Sequence, residues 1–129
     1  MKIYSLLACS VLLGVLASSC SYDPSGFAVW KSRQAVKQKL KSPGTAAFDT
    51  TRLAARADDE GLYIVYLEVD SQNAFGATVR SYALALMISN DQETVALHLE
   101  VQEDPISTGR VKELTREMGS GWKIEPWAS

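Results

Sequence analysis

The sequence predicts an α+β domain: an N-terminal helix packed on a three- to four-stranded antiparallel sheet, with a short C-terminal helix. Three observations predict it. A helix-start signal opens the globular part and a Pro-Gly stop ends its first segment. Three runs of alternating apolar residues follow, two of them joined by a tight turn. A capped, periodic segment then precedes a glycine near the end.

Asp23-Pro24 supplies a cap residue and a proline for the first helical turn. The spacing predicts a helix from about Phe27 to Lys41, with Val29, Val36 and Leu40 on its core face and Phe27 and Trp30 beside them. Ser42-Pro43-Gly44 stops it, because the residue before proline disfavours the helical region. Lys31, Arg33, Lys37, Lys39 and Lys41 spread round this helix, which reads as a solvated surface; contact with anionic lipid head groups is the alternative.

A short strand near Ala47 to Leu53 is weakly signalled. Leu62 to Val69 is apolar on both faces and therefore central. Thr78 to Ser89 is a longer strand. In Thr94 to Val101, alternation points Val95, Leu97, Leu99 and Val101 inward and Thr94, Ala96, His98 and Glu100 outward. Asn90-Asp91-Gln92 makes the last two an antiparallel hairpin. Ser107 or Thr108 caps the last helix, whose stripe is Val111, Leu114 and Met118 and whose stop is Gly119. Trp122 to Trp127 can add an edge strand. Its tryptophans read as cover for the edge of the core, with glycan binding the alternative.

Ahead of this domain stands a different kind of segment. Lys2 gives a positive start, Leu6 to Ala17 is apolar apart from Cys9, Ser10 and Gly14, and the small residues Ala17, Ser18 and Ser19 precede Cys20. That order reads as a secretory signal peptide, and the apolar run is shorter than the roughly 20 residues a spanning helix needs. An uncut signal-anchor is the competing reading. The expected organisation is a removed leader (1–19), a cysteine and polar spacer (20–26) and a single small domain (27–129). Losing Lys2 takes the formal charge from −2 to about −3, a balance that argues against a nucleic-acid partner. Losing Cys9 leaves no internal disulfide to form, so stability rests on the core.

Leu16-Ala17-Ser18-Ser19-Cys20 resembles the lipobox of bacterial prolipoproteins, with Ala17 where Leu is commoner and Ser19 where Gly or Ala is commoner. The resemblance implies that the Cys20 thiol receives a diacylglyceryl group and that a dedicated peptidase cuts before it. It also implies acylation of the new amino group, hence palmitate. The expected location is membrane-anchored and extracytoplasmic; Ser21 directs it to the outer membrane, facing the periplasm, in a Gram-negative cell. One acyl chain anchors marginally, at about 0.8 kcal/mol per buried methylene, whereas two or three hold firmly. The ordinary alternative is a general signal peptide cut after Ser19.

Two stretches carry a further resemblance. Lys41-Ser42-Pro43-Gly44-Thr45-Ala46-Ala47-Phe48 is similar to a K-S-P-S-T-A-x-F motif, and Val69 to Arg80 to a V-D-x-Q-N-x-F-G-A-x-x-R motif. Both occur in this order in a family of small, uncharacterised bacterial envelope and phage-associated proteins. The likeness spans roughly Val36 to Leu86; Gly44, Asp49 and Ala83-Leu84 depart from the commoner residues. It implies a helix followed by an antiparallel sheet and no particular activity. Read physically, Asn73 and Gly76 suit a turn and Phe75 can pin the loop. Asp70 and Arg80 are placed to pair across two strands as a staple; the alternative is a polar recognition site of Asp70, Gln72, Asn73 and Arg80.

Catalytic chemistry is poorly signalled. His98 is the single histidine, no Walker-type loop, G-x-S-x-G or H-E-x-x-H is present, and Asp58-Asp59-Glu60 reads as a solvated run. No cofactor, metal site or catalytic residue is expected. The sequence therefore predicts a non-catalytic binding or assembly module of the envelope, with a protein or peptidoglycan partner. The rival is a small hydrolase acting on envelope polymers through two carboxylates brought together in space.

Overall fold

The computed structural model describes residues 23–119 and 121–129. The leader, Cys20 and the start of the spacer lie outside the described residues. Helix α1 (Pro24–Lys37) is followed by strands β1 (Ala47–Ala57), β2 (Leu62–Gln72), β3 (Thr78–Ser89) and β4 (Thr94–Gln102), helix α2 (Thr108–Glu117) and the short strand β5 (Lys123–Ile124). The sheet is antiparallel, in the order β4-β3-β2-β1-β5. It has five strands, not three or four. Strand β1 runs 11 residues, well past the Leu53 expected, and the tail adds β5 opposite Ala55 and Arg56.

Strand β2 is central and buried on both faces. Tyr63, Val65, Leu67 and Val69 join Ala83, Ala85 and Met87 of β3 beneath α1. Ile64, Leu84 and Leu86 face the other way, beneath Val111 and Leu114 of α2. The sheet thus lies between two helices. Removing a fully buried side chain such as Leu67 from water contributes about 1.5–3 kcal/mol.

Helix α1 begins at Pro24, with Asp23 as the extended cap residue, and ends four residues before the expected Lys41. Tighter turns take over: Lys39 N–H donates to Val36 O and Leu40 N–H to Lys37 O. These turns bring Leu40 half-buried onto the core. The helix meets the sheet through the expected Val36, with Val29 and Leu40 packed beside it, and also through two small residues that apolarity ranks low. Ala28, Ser32 and Val36 are buried, whereas Phe27 is 48% and Trp30 56% exposed. Small side chains let the helix backbone come close, and Ser32 Oγ is satisfied by donating to Val29 O at 2.6 Å.

Bulges account for the remaining differences. Strand β1 slips register between Phe48 and Thr50 and between Leu53 and Ala55. In β4, Ala96 pairs with Met87 while His98 pairs with Leu86, so the alternation breaks at Leu97. Leu99 and Val101 still pack under α1, but Val95 (38%) and Leu97 (50%) are exposed, contrary to the expected inward set. The β3–β4 turn forms as expected, Asn90 Oδ1 accepting from the Gln92 and Glu93 amides at 2.9 Å each. Ser107 caps α2 through Gly109 N–H at 3.1 Å, and Gly119 takes φ +102° at its end. Met118 falls outside this helix and is exposed; Thr115 takes the third buried position.

Candidate functional site

The two sequence motifs meet at one end of the sheet. Pro43–Thr45 forms a single tight turn after α1. From it, Thr45 Oγ1 donates to Ser42 O at 2.7 Å and accepts from Gln72 N–H at 2.9 Å. One hydroxyl thereby ties the first motif to the second. Beyond Gln72 the loop closes on itself. Asn73 N–H donates to Ala77 O at 2.9 Å, and Asn73 Oδ1 accepts from the amides of Phe75 at 2.9 Å and Ala77 at 3.0 Å. Gly76 sits at φ +81°, which a side chain would strain. Phe75 does not pin the loop: it is 95% exposed at the tip, because Asn73 already supplies the closing hydrogen bonds.

Asp70 and Arg80 are register partners in β2 and β3. Arg80 grips the Asp70 carboxylate with two parallel hydrogen bonds, Nε at 2.9 Å and Nη2 at 2.8 Å. Its Nη1 lies 3.4 Å from Asp49 and 3.7 Å from Glu68. The Arg80 hydrogen bonds hold the Asp70 carboxyl below its ordinary range, and the pairing with Asp70 raises Arg80. One guanidinium thus organises carboxylates from β1 and β2.

The four candidate residues do not form one site. Gln72 and Asn73 line a cavity of about 200 Å³ with Lys39, Lys41, Ser81 and Glu103, between the turns after α1 and the ends of β2, β3 and β4. Asp70 and Arg80 lie outside its lining, alternating onto the α2 side of the sheet. The cavity offers amine, amide, hydroxyl and carboxylate groups, a mixture suited to a polar side chain or a sugar hydroxyl. Among the described residues no cluster of three or more His, Cys, Asp or Glu side chains is placed to hold a metal ion.

A second polar region, which the sequence reading missed, lies on the α2 side. Arg52 stacks 3.7 Å above the Trp127 ring, Tyr66 packs against the same ring at 5.5 Å, and Trp127 Nε1 donates to Leu53 O at 3.2 Å. These residues border a cavity of about 190 Å³ with Ser107 and Thr108 at the start of α2. Tyr66 Oη donates to Glu68 at 2.7 Å; burial, then that bond, pushes its phenol upward. Nearby, Arg110 clamps Glu100 and reaches Glu113 at 2.9 Å. Its hydrogen bonds hold the Glu100 carboxyl below the usual range, and His98 adds a contact at 3.1 Å. The adjacent Trp122 Nε1 is buried without a partner among the described residues. Only the aromatic content of the tail signalled this region.

Among the described residues no helix is long and apolar enough to cross a membrane. Comparison of the chain with known protein families, curated proteins and solved structures returned no match.

Proposed function

We propose that the chain is an envelope lipoprotein, anchored through acyl groups on Cys20 and carrying a non-catalytic binding or assembly module. The supporting observation is the join between leader and domain. The lipobox-like Leu16 to Cys20 is followed after only Ser21 and Tyr22 by the cap residue of α1. A cut before Cys20 would remove the leader and leave in place every element among the described residues. The polar cavity between the two motifs is the binding surface this reading assigns, toward an envelope protein or peptidoglycan.

Hydrolysis of an envelope polymer would need a carboxyl that keeps its proton near neutral pH. Asp70 and Glu100, the carboxyls most tightly held on the α2 side, shift the opposite way, because an arginine grips each one. Neither is therefore proposed as a general acid.

Cys20→Ser in the full chain tests the anchor. The expected outcome is loss of palmitate incorporation and a move from the detergent phase to the aqueous phase. Unchanged fractionation would refute the proposal. For the cavity, Lys41→Glu and Glu103→Lys should each weaken a crosslinked envelope partner without shifting its identity.

A further inference from the structure

Helix α1 presents an outward face that the core does not use. Ala28, Ser32 and Val36 point into the sheet, so Phe27, Trp30, Lys31 and Gln34, spaced three and four apart, lie on the opposite side. Phe27 is 48% and Trp30 56% exposed. They border a broad, shallow apolar hollow of about 400 Å³ with Asp23 and Gly26. Lys31 Nζ lies 5.9 Å from the Trp30 ring centre. Asp23 turns its carboxylate onto Ser25 Oγ at 2.8 Å, and the next acid along the chain is Asp49. Arg33 is engaged elsewhere, donating to Thr51 at 3.1 Å and lying over Phe48.

We propose that this face is a membrane footing: Phe27 and Trp30 enter the phospholipid interface beside the anchor while Lys31 reaches the head groups. The inference rests on the proposed acylation of Cys20. Its force comes from reach and chemistry together. Three peptide units separate Cys20 from Asp23, at most about 11 Å of extended chain. Trp30 lies about 10 Å further along the helix axis. An acyl chain in the bilayer therefore holds the aromatic pair within range of the interface, where an apolar helix face buries about 5–10 Å deep. Tryptophan favours that boundary because its ring is apolar and its N–H polar. Lysine reaches outward from an apolar surface to anionic head groups, and Lys37 continues the same face.

The test uses the acylated full-length product in vesicles of phosphatidylcholine and phosphatidylglycerol with brominated acyl chains. Mass spectrometry establishes the state of Cys20. Three tryptophans are present, and Trp122 and Trp127 pack on the α2 side of the sheet, away from this face. Brominated lipid should quench part of the emission, and Trp30→Phe, still anchored and melting as the parent does, should lose that quenching. A chain that is acylated and vesicle-bound but unquenched would overturn the footing and leave the anchor standing. A Trp30 shielded from both brominated lipid and aqueous acrylamide would overturn it in favour of a protein cover, such as a second copy. An unmodified Cys20 with no vesicle binding would overturn both proposals.

Discussion

Helix α1 meets the sheet through Ala28, Ser32 and Val36 and turns Phe27 and Trp30 outward, whereas α2 meets it through Val111, Leu114 and Thr115 and turns Lys112, Glu113, Arg116 and Glu117 outward. The caps differ too. Asp23 directs its carboxylate to the Ser25 hydroxyl, while Ser107 caps the backbone of α2 directly. Beneath α1 the sheet is apolar up to the polar cavity at one end; on the α2 side it carries the Arg80 and Arg110 ion pairs and the Arg52–Trp127 stack. A surface helix ordinarily buries its large apolar residues and exposes its charged ones. Helix α2 obeys that rule and α1 breaks it next to the proposed anchor. The proposed membrane footing of α1 rests on that contrast.

The apolar side should carry the largest mutational effect. Leu67→Ala leaves a cavity at a fully buried central position and should cost about 2–5 kcal/mol by denaturant unfolding. Ala28→Leu forces extra volume into the close helix–sheet contact and should cost about 1–3 kcal/mol. A neutral result there would break the claim that small residues set the approach of α1. Ser107→Ala should cost about 1 kcal/mol, since it removes the hydroxyl that caps α2.

On the polar side the effect should depend on pH. Arg110 lowers the folded-state Glu100 carboxyl below its ordinary value of 4.5, so its contribution is present above that value. It is lost as pH falls through the lower folded value. Urea titrations between pH 5 and 2 should therefore show a shallower acid-side decline in Glu100→Gln than in the parent. Arg80→Ala should give the smallest stability change of the series, because its pair with Asp70 is partly exposed to water. A large loss would make that pair a structural staple of the hairpin.

Much of the fold was legible because the strands carry their own period. Strands β2 and β3, the Asn90 turn, the Ser107 cap and the Gly119 stop all follow from local rules. What escaped depends on contacts distant in sequence. The slips in β1 and β4 arise from pairing across strands, and no alternation rule locates them within one strand. The outward turn of Trp30 escaped because apolarity ranks tryptophan above Ala28 and Ser32, while close packing ranks them the other way. At the candidate site, the Asp70–Arg80 pairing was readable from the hairpin geometry, but the Thr45–Gln72 tie joins residues 27 apart. The Arg52–Trp127 stack brings the tail back onto β1, which composition alone does not reveal.

The most direct test of the tethered-domain account is the mass of the N-terminal peptide of the protein isolated from its own cell envelope. The account predicts a peptide beginning at Cys20 and heavier than its sequence by a diacylglyceryl group, with or without an amide-linked acyl chain. A peptide beginning at an unmodified Cys20, or one retaining residues upstream of it, would contradict the account.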